Sequence, residues 1–359
     1  MAFKLEKLFV DVFAPQPGEV VTVIYDLPHD EITDNEEWRE RRDMADEWHK
    51  EIEAFSGRYR MIINPIVTYN ATGSHNADMP ENGIWKGQKA RLEDIIKNST
   101  IVISMPEFSA SAPLMGFTKK YLNLRVASMP GVAKSMENTA LSADYKKVAA
   151  TCAKLTPLFE GSDGIKVNVS TGHTCYFDIS DHKTAFQDNG LLHPGGGEGA
   201  DRLTNLPAGE VCVCPNEDEN SKTAGEIPAV IEGEMIVFVV KANQIISVTG
   251  DGPMAKRKLQ EFGTEKALRG IAEVAIGCNE KAVVTGNVLE DEKAGFHWAY
   301  GRSDFLGGKV GVKDFTYPEK ASHEDIVYAR GNPIVCKQLD FLFPNGVRKT
   351  AIRDGVLII

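Results

Sequence analysis

The sequence predicts an α/β domain with a parallel sheet, followed by a β-rich α+β domain that carries the candidate metal-binding residues. Three observations predict it. Strand-like apolar segments alternate with segments of helical period up to about residue 160. Past Gly161 the chain turns to β-branched segments punctuated by Gly, Asn and Pro. A chain of 359 residues also exceeds what one hydrophobic core comfortably serves. The expected division is therefore 1–160 and 161–359.

In the first domain VVTVIYDLP (20–28) is a strand. EEWRERRDMADEWHKEIEAF (36–55) follows as a helix, with Trp38, Met44, Ala45, Trp48 and Ile52 near helical spacing. RMIINPIVTYN is a second strand, ARLEDIIKNS leads into the third, STIVISMP, and YLNLRVASMPG is a fourth. ADYKKVAATCAKLTPLFEG closes the domain as a helix. Strands separated by helices favour a parallel sheet with covered faces. The charge run between Asp26 and Glu53 fits a solvated helix face better than a partner-binding surface.

In the second domain IKVNVSTGHTCYFDIS, AGEVCVCP, GEIPAVIEGEMIVFVVKANQIISVTGDG and ARGNPIVCKQLDFLFPNG read as strands. The segment MAKRKLQEFGTEKALRGIAEVAIG (254–277) is predicted to be the one helix among them.

Composition narrows the function classes. A formal net charge of -11 argues against a nucleic-acid partner. No apolar run reaches the ~20 residues needed to span a bilayer, and charges at Lys4, Glu6, Lys7 and Asp11 interrupt any signal-peptide core. With six scattered cysteines and no disulfide framework, a cytoplasmic chain is expected. Cys212 and Cys214 form C-x-C on one face of a strand. Without a second such pair they read as core packing before a soft-metal pair.

Phosphate-loop, nucleophile-elbow and H-E-x-x-H motifs are missing from the sequence. The Gly-rich HPGGGEGADR (193–202) opens with no helix behind it, so it reads as a loop. What remains is a scatter of ligand types in the second half. His323 and Asp325 form H-x-D, and an extended backbone points both to one side. His297 lies downstream of the acidic cluster Glu290, Asp291 and Glu292. Glu273 stands among small apolar residues, where an unpaired carboxylate is costly to bury, and Glu210 opens a strand after a Pro-Ala-Gly turn. Carboxylates and imidazoles converging from separate segments are what divalent-metal hydrolases use.

LPAGEV, then PNEDENSKTAGEIP, IAEVAIGCN, LEDEKAGFHWAYG and SHED, in this order, resembles the motif series of the aminopeptidase T family of dinuclear metallopeptidases. The resemblance covers about residues 165–359 and implies metal ligands at Glu210, Glu273, His297, His323 and Asp325, with Glu273 bridging two ions. Two divalent ions (Zn, Co or Mn) activating water for amide hydrolysis follow from it, as do a short-peptide or small-molecule substrate and a homodimer. Glu292 occupies the family's D-E position, as a catalytic general base or as a partner that orients an imidazole. The chain departs from the family after His297: WAYGRSDFLGG puts Tyr300 too early for the expected tyrosine and brings Asp304 or Phe305 near its place. Trp298, Phe305, Phe315 and Tyr317 are candidates to line an apolar pocket or to fill the core.

The 2,5-dihydroxypyridine ring-cleaving dioxygenases resemble the same fold and supply the rival expectation. There His297, His323 and Asp325 alone would hold one Fe(II). That family has a histidine where this chain keeps Glu273, which favours the hydrolase. A metal-stabilised binding protein is the third possibility, and five retained ligand types argue against it.

Overall fold

The computed structural model describes residues 3–181, 184–196 and 202–359, with the Glu319 side chain left aside. It divides into two compact units, Met1–Ala149 with Asp188–Ala208, and Ala150–Gln187 with Gly209–Ile359. The division expected at residue 160 falls at the end of the helix Tyr145–Gly161, and segment 188–208 goes with the first unit, which two consecutive blocks did not anticipate.

The first unit is built on a mixed eight-stranded sheet. Its order is Leu203–Asn205, Arg125–Ser128, Ile101–Ser104, Val20–Leu27, Val67–Asn70, Asn82–Trp85 and Gln88–Arg91, with Ile62–Ile63 beside the start of Val20–Leu27. Neighbours in the first five strands run parallel, and the last two strands form an antiparallel hairpin edge. All four residues of Ile101–Ser104 and of Arg125–Ser128 are buried, as a sheet covered on both faces requires. The helix Glu36–Tyr59 starts where the Asn35 side chain accepts the Trp38 backbone N–H, and it buries Trp38, Arg41, Met44, Ala45, Trp48, Ile52 and Phe55.

The charge run is not uniformly solvated. Arg41 is buried and paired with Glu107. Asp26 is fully buried, accepting from Trp38 Nε1 (2.9 Å) and from the backbone N–H of Glu107 (2.8 Å) and Phe108 (3.1 Å). The Gly-rich loop lies in part outside the described residues, at 197–201.

The second unit holds two antiparallel sheets. The larger runs Gln244–Thr249, Glu234–Lys241, Ala224–Ile231, Thr174–Asp178, Gly164–Val169, Cys336–Leu342, Arg348–Arg353 and Val356–Leu357. In the other, Glu210–Val213, Ile271–Gly277, Phe296–Gly301 and His323–Val327 lie side by side in that order. The helix predicted over 254–277 ends at Thr264; a short turn, Lys266–Arg269, follows, and Ile271–Gly277 is a strand with every residue buried. A short unbroken run of Ile, Ala and Val satisfies a buried strand and a buried helix alike, and pairing with two neighbouring strands decides it.

Between the sheets sits an aromatic layer. Phe238 lies 5.7 Å from Trp298 and 5.6 Å from Tyr300, and Phe296 lies 6.1 Å from Phe177 and 5.9 Å from Tyr328. No helix among the described residues is long and apolar enough to cross a membrane.

Candidate metal centre

Strand alternation divides FHWAYG between two jobs. Phe296, Trp298 and Tyr300 go to the aromatic layer, so His297, Ala299 and Gly301 must face the other way. Register carries that second face across the sheet. His297 stands opposite Ala275 and Val327, Ala299 opposite Glu273 and Asp325, and Gly301 opposite His323. Glu210 stands opposite Gly277 and Cys212 opposite Ala275. One face of four strands therefore gathers Glu210, Glu273, His297, His323 and Asp325, with Ala275, Ala299, Gly277 and Gly301 as the low ground between them.

The five side chains converge. Glu273 Oε2 lies 2.9 Å from His323 Nε2, while Glu273 Oε1 lies 3.7 Å from His297 Nε2. His297 Nε2 is also 3.3 Å from Glu210 Oε2, and His323 Nε2 is 3.6 Å from Asp325 Oδ1. Three groups have ligand atoms mutually within 4.8 Å: Glu210–Glu273–His297, Glu273–His323–Asp325 and Glu292–His297–Asp325. Burial is graded, from His297 at 1% side-chain exposure to His323 at 15%, so the His323–Asp325 end is the rim.

Backbone carbonyls fix both imidazoles. His297 Nδ1 donates to Gly295 O (3.3 Å) and His323 Nδ1 to Arg302 O (2.7 Å). A carbonyl only accepts, so the Nδ1 proton is set and Nε2 is turned toward the carboxylates.

The segment before His297 arches close over the sheet. Gly277 N–H donates to Gly295 O (2.8 Å) and Asn279 N–H to Lys293 O (3.0 Å). A Cβ on Gly277 would come within 2.1 Å of Glu292 O, so only glycine admits this approach. The arch delivers Glu292, which sequence reasoning singled out, and Lys293, which it missed. Lys293 is fully buried, and its Nζ donates to Glu210 Oε1 (2.6 Å) and contacts Glu292 Oε1 (2.7 Å). A lysine beside three acidic residues carries no sequence signal that separates it from surface charge. Its neighbours Glu290 and Asp291 are spent locally, Glu290 accepting from Val283 N–H and Asp291 from the N–H groups of Thr285 and Gly286.

Electrostatics follow from this crowding. Burial raises the Glu273 carboxyl, but the nearby His297 imidazole and the hydrogen bond with His323 outweigh it and hold it well below the usual carboxylate range. Burial also works against ionised Glu210, and the Lys293 charge with the nearby His297 imidazole lowers it nonetheless. Burial lowers both imidazoles, yet the surrounding carboxylates raise them: Glu210 and Glu273 at His297, Asp325 and Glu273 at His323. Glu292 goes the other way, pushed up to about 8 by burial, against the lowering effect of Lys293.

The remaining sequence candidates separate cleanly. Trp298 and Tyr300 belong to the aromatic layer, away from the ligand face. Phe305 sits with its ring 5.0 Å from that of His323 and is 37% exposed, so it borders the centre. Phe315 is buried and Tyr317 is exposed. Cys212 shares the ligand face and its thiol is pushed up by burial and by Glu273, while no cysteine joins a candidate ligand group among the described residues.

The donor set fits a divalent cation. Glu210 Oε2 is buried without a hydrogen-bond partner of good geometry, and three carboxylates face two pre-oriented imidazole nitrogens. The carboxylates that raise both imidazoles favour their protonated forms, so an ion binding there would compete with protons.

No family model matches the chain, and no curated protein matches it either. Solved structures do. The 2,5-dihydroxypyridine dioxygenase of Pseudomonas putida KT2440 is similar at TM-score 0.64 and 15% identity, over 99% of this chain and 96% of that one. AmpT (aminopeptidase T) of Thermus thermophilus is similar at TM-score 0.58 and 14% identity, over 99% of both chains. Both families named from the sequence, the one through its motif series and the other through its fold, thus recur in the structural comparison, and this chain resembles both in fold.

Proposed function

We propose that this chain is a divalent-metal-dependent hydrolase of the aminopeptidase kind, acting on an amide of a small molecule or short peptide. The observation that carries the reading is Glu273, whose two carboxylate oxygens are each turned to a different imidazole, Oε2 to His323 and Oε1 to His297. Such a placement suits a carboxylate shared between two ion positions. Glu210 and His297 would hold one position, and His323 and Asp325 the other.

Bound there, divalent ions would acidify a water and polarise a carbonyl. The chain's own groups do the rest. Glu292, in one ligand-distance group with His297 and Asp325, is placed to take a proton from a bound water and return it. The carbonyls of Gly295 and Arg302 keep both imidazoles in the required tautomer. Phe305, half-exposed against the His323 ring, gives an incoming substrate an apolar edge where the family pattern expects a tyrosine.

The rival reading is a mononuclear Fe(II) dioxygenase using His297, His323 and Asp325, favoured by the structural likeness to the 2,5-dihydroxypyridine enzyme. One experiment separates the two. Chelator-stripped protein is reloaded with Zn, Co or Mn and assayed on aminoacyl-arylamides, and in parallel with Fe(II) under oxygen on 2,5-dihydroxypyridine. Metal-dependent arylamide cleavage is expected; oxygen uptake with no cleavage would hand the site to the dioxygenase.

A further inference from the structure

The cation already inside the centre is Lys293, and nothing in the motif series accounts for it. Its side chain is fully buried and its ammonium lies between Glu210 Oε1 (2.6 Å) and Glu292 Oε1 (2.7 Å). A buried ammonium is tolerated only when paired, and both of these carboxylates belong to the candidate centre. The arch that carries it is pinned by the Gly277 N–H to Gly295 O and Asn279 N–H to Lys293 O bonds, over a glycine that leaves no room for a Cβ.

Lys293 engages Glu210 and Glu292, and the Glu273–His323–Asp325 group has mutual contacts of its own at 2.9 and 3.6 Å. Resting on the metal reading above, we propose that Lys293 is a built-in counter-cation that makes the two halves of the centre unequal. One divalent ion binds tightly at Glu273, His323 and Asp325. The Glu210–His297 half takes a second ion only when the ammonium gives up Glu210. Two like charges held a few ångströms apart in a buried site repel strongly, so the second ion binds roughly a hundredfold or more weakly than the first. Lys293 is in this sense a positioning residue that sets ion number through Glu210.

The test counts ions. Full-length protein stripped with chelator is titrated with Zn²⁺ or Mn²⁺ by calorimetry, and retained metal is measured by elemental analysis after desalting. Wild type is expected to retain one ion per chain and to show a second, weaker binding step. K293M is expected to retain two, with Glu210 freed, and K293R, which keeps the charge, to behave as wild type. Two equally tight ions in wild type, or one in a folded K293M, would overturn the proposal. The wild-type count decides by itself if K293M does not fold. A wild-type chain that retains no ion at all would instead sink the metal reading beneath it, which keeps the two failures apart.

Discussion

Replacing Gly277 with alanine perturbs the centre without touching a ligand. A Cβ at this position would stand 2.1 Å from Glu292 O, 2.5 Å from Lys293 C and 2.8 Å from Lys293 Cα. These are backbone atoms, so no rotamer change relieves the overlap and the arch must lift. Inserting a methyl into a close-packed contact typically costs about 1–3 kcal/mol. Lifting the arch also weakens the hydrogen bonds from Gly277 N–H (2.8 Å) and Asn279 N–H (3.0 Å), each contributing about 1 kcal/mol. Gly277→Ala should therefore lose about 3–5 kcal/mol in urea denaturation followed by circular dichroism. Gly116→Ala is the matched control: it lies inside the helix Ser111–Lys120 with nothing within 4 Å of its Cβ position, and should be neutral or stabilising by up to about 1 kcal/mol. Because the arch holds Glu292, Lys293 and the Gly295 carbonyl, Gly277→Ala should also weaken divalent-ion affinity at least about tenfold. A Gly277→Ala protein within about 0.5 kcal/mol of wild type, the range of ordinary surface substitutions, would refute the close approach of arch and sheet.

Other consequences are as direct. His323→Ala and Asp325→Ala, on the rim strand, should each abolish metal-dependent turnover while circular dichroism stays native, and full activity in either would contradict the assignment. Glu273→Ala should lower the number of ions bound at saturation, measured by elemental analysis. Divalent-ion affinity should fall as pH is lowered, because both imidazoles are raised by their carboxylate partners and ion binding must displace those protons; calorimetry in buffers of different ionisation enthalpy should show proton release. At Asp340, burial raises the carboxyl but the hydrogen bonds from Arg348, Thr350 and Gln338 hold it below its ordinary value. A depressed carboxyl stabilises the fold above its unfolded pKa of about 3.9 and loses that contribution as pH falls through the lower folded value. The urea midpoint of wild type should therefore drop more steeply below pH ~4 than that of Asp340→Asn. A homodimer, implied by the family resemblance, should appear as twice the chain mass in sedimentation equilibrium.

Strand and helix segments of the first unit were legible because each is long and strongly patterned: the 36–55 helix stripe sits within Glu36–Tyr59, and STIVISMP contains Ile101–Ser104. The hairpin Asn82–Trp85 and Gln88–Arg91 was not, because its turn at Lys86 and Gly87 and its half-polar edge strands give no apolar alternation. IAEVAIG was assigned to a helix for the opposite reason, being too apolar to show either period. The grouping of the site residues does not depend on that backbone, since residue type and motif order single out Glu273 in either conformation. What the sequence hid was the set of relations that only tertiary structure makes: Asp26 buried under Trp38, Tyr300 turned away from the centre, and Lys293 brought 83 residues along the chain to Glu210.

The most direct measurement of the central claim is the metal content of the purified chain before and after chelation, with its thermal midpoint in each state. At least one divalent ion per chain is predicted, lost on chelation with a fall in midpoint and regained on adding Zn, Co or Mn. A metal-free chain whose midpoint ignores all three ions would contradict the account.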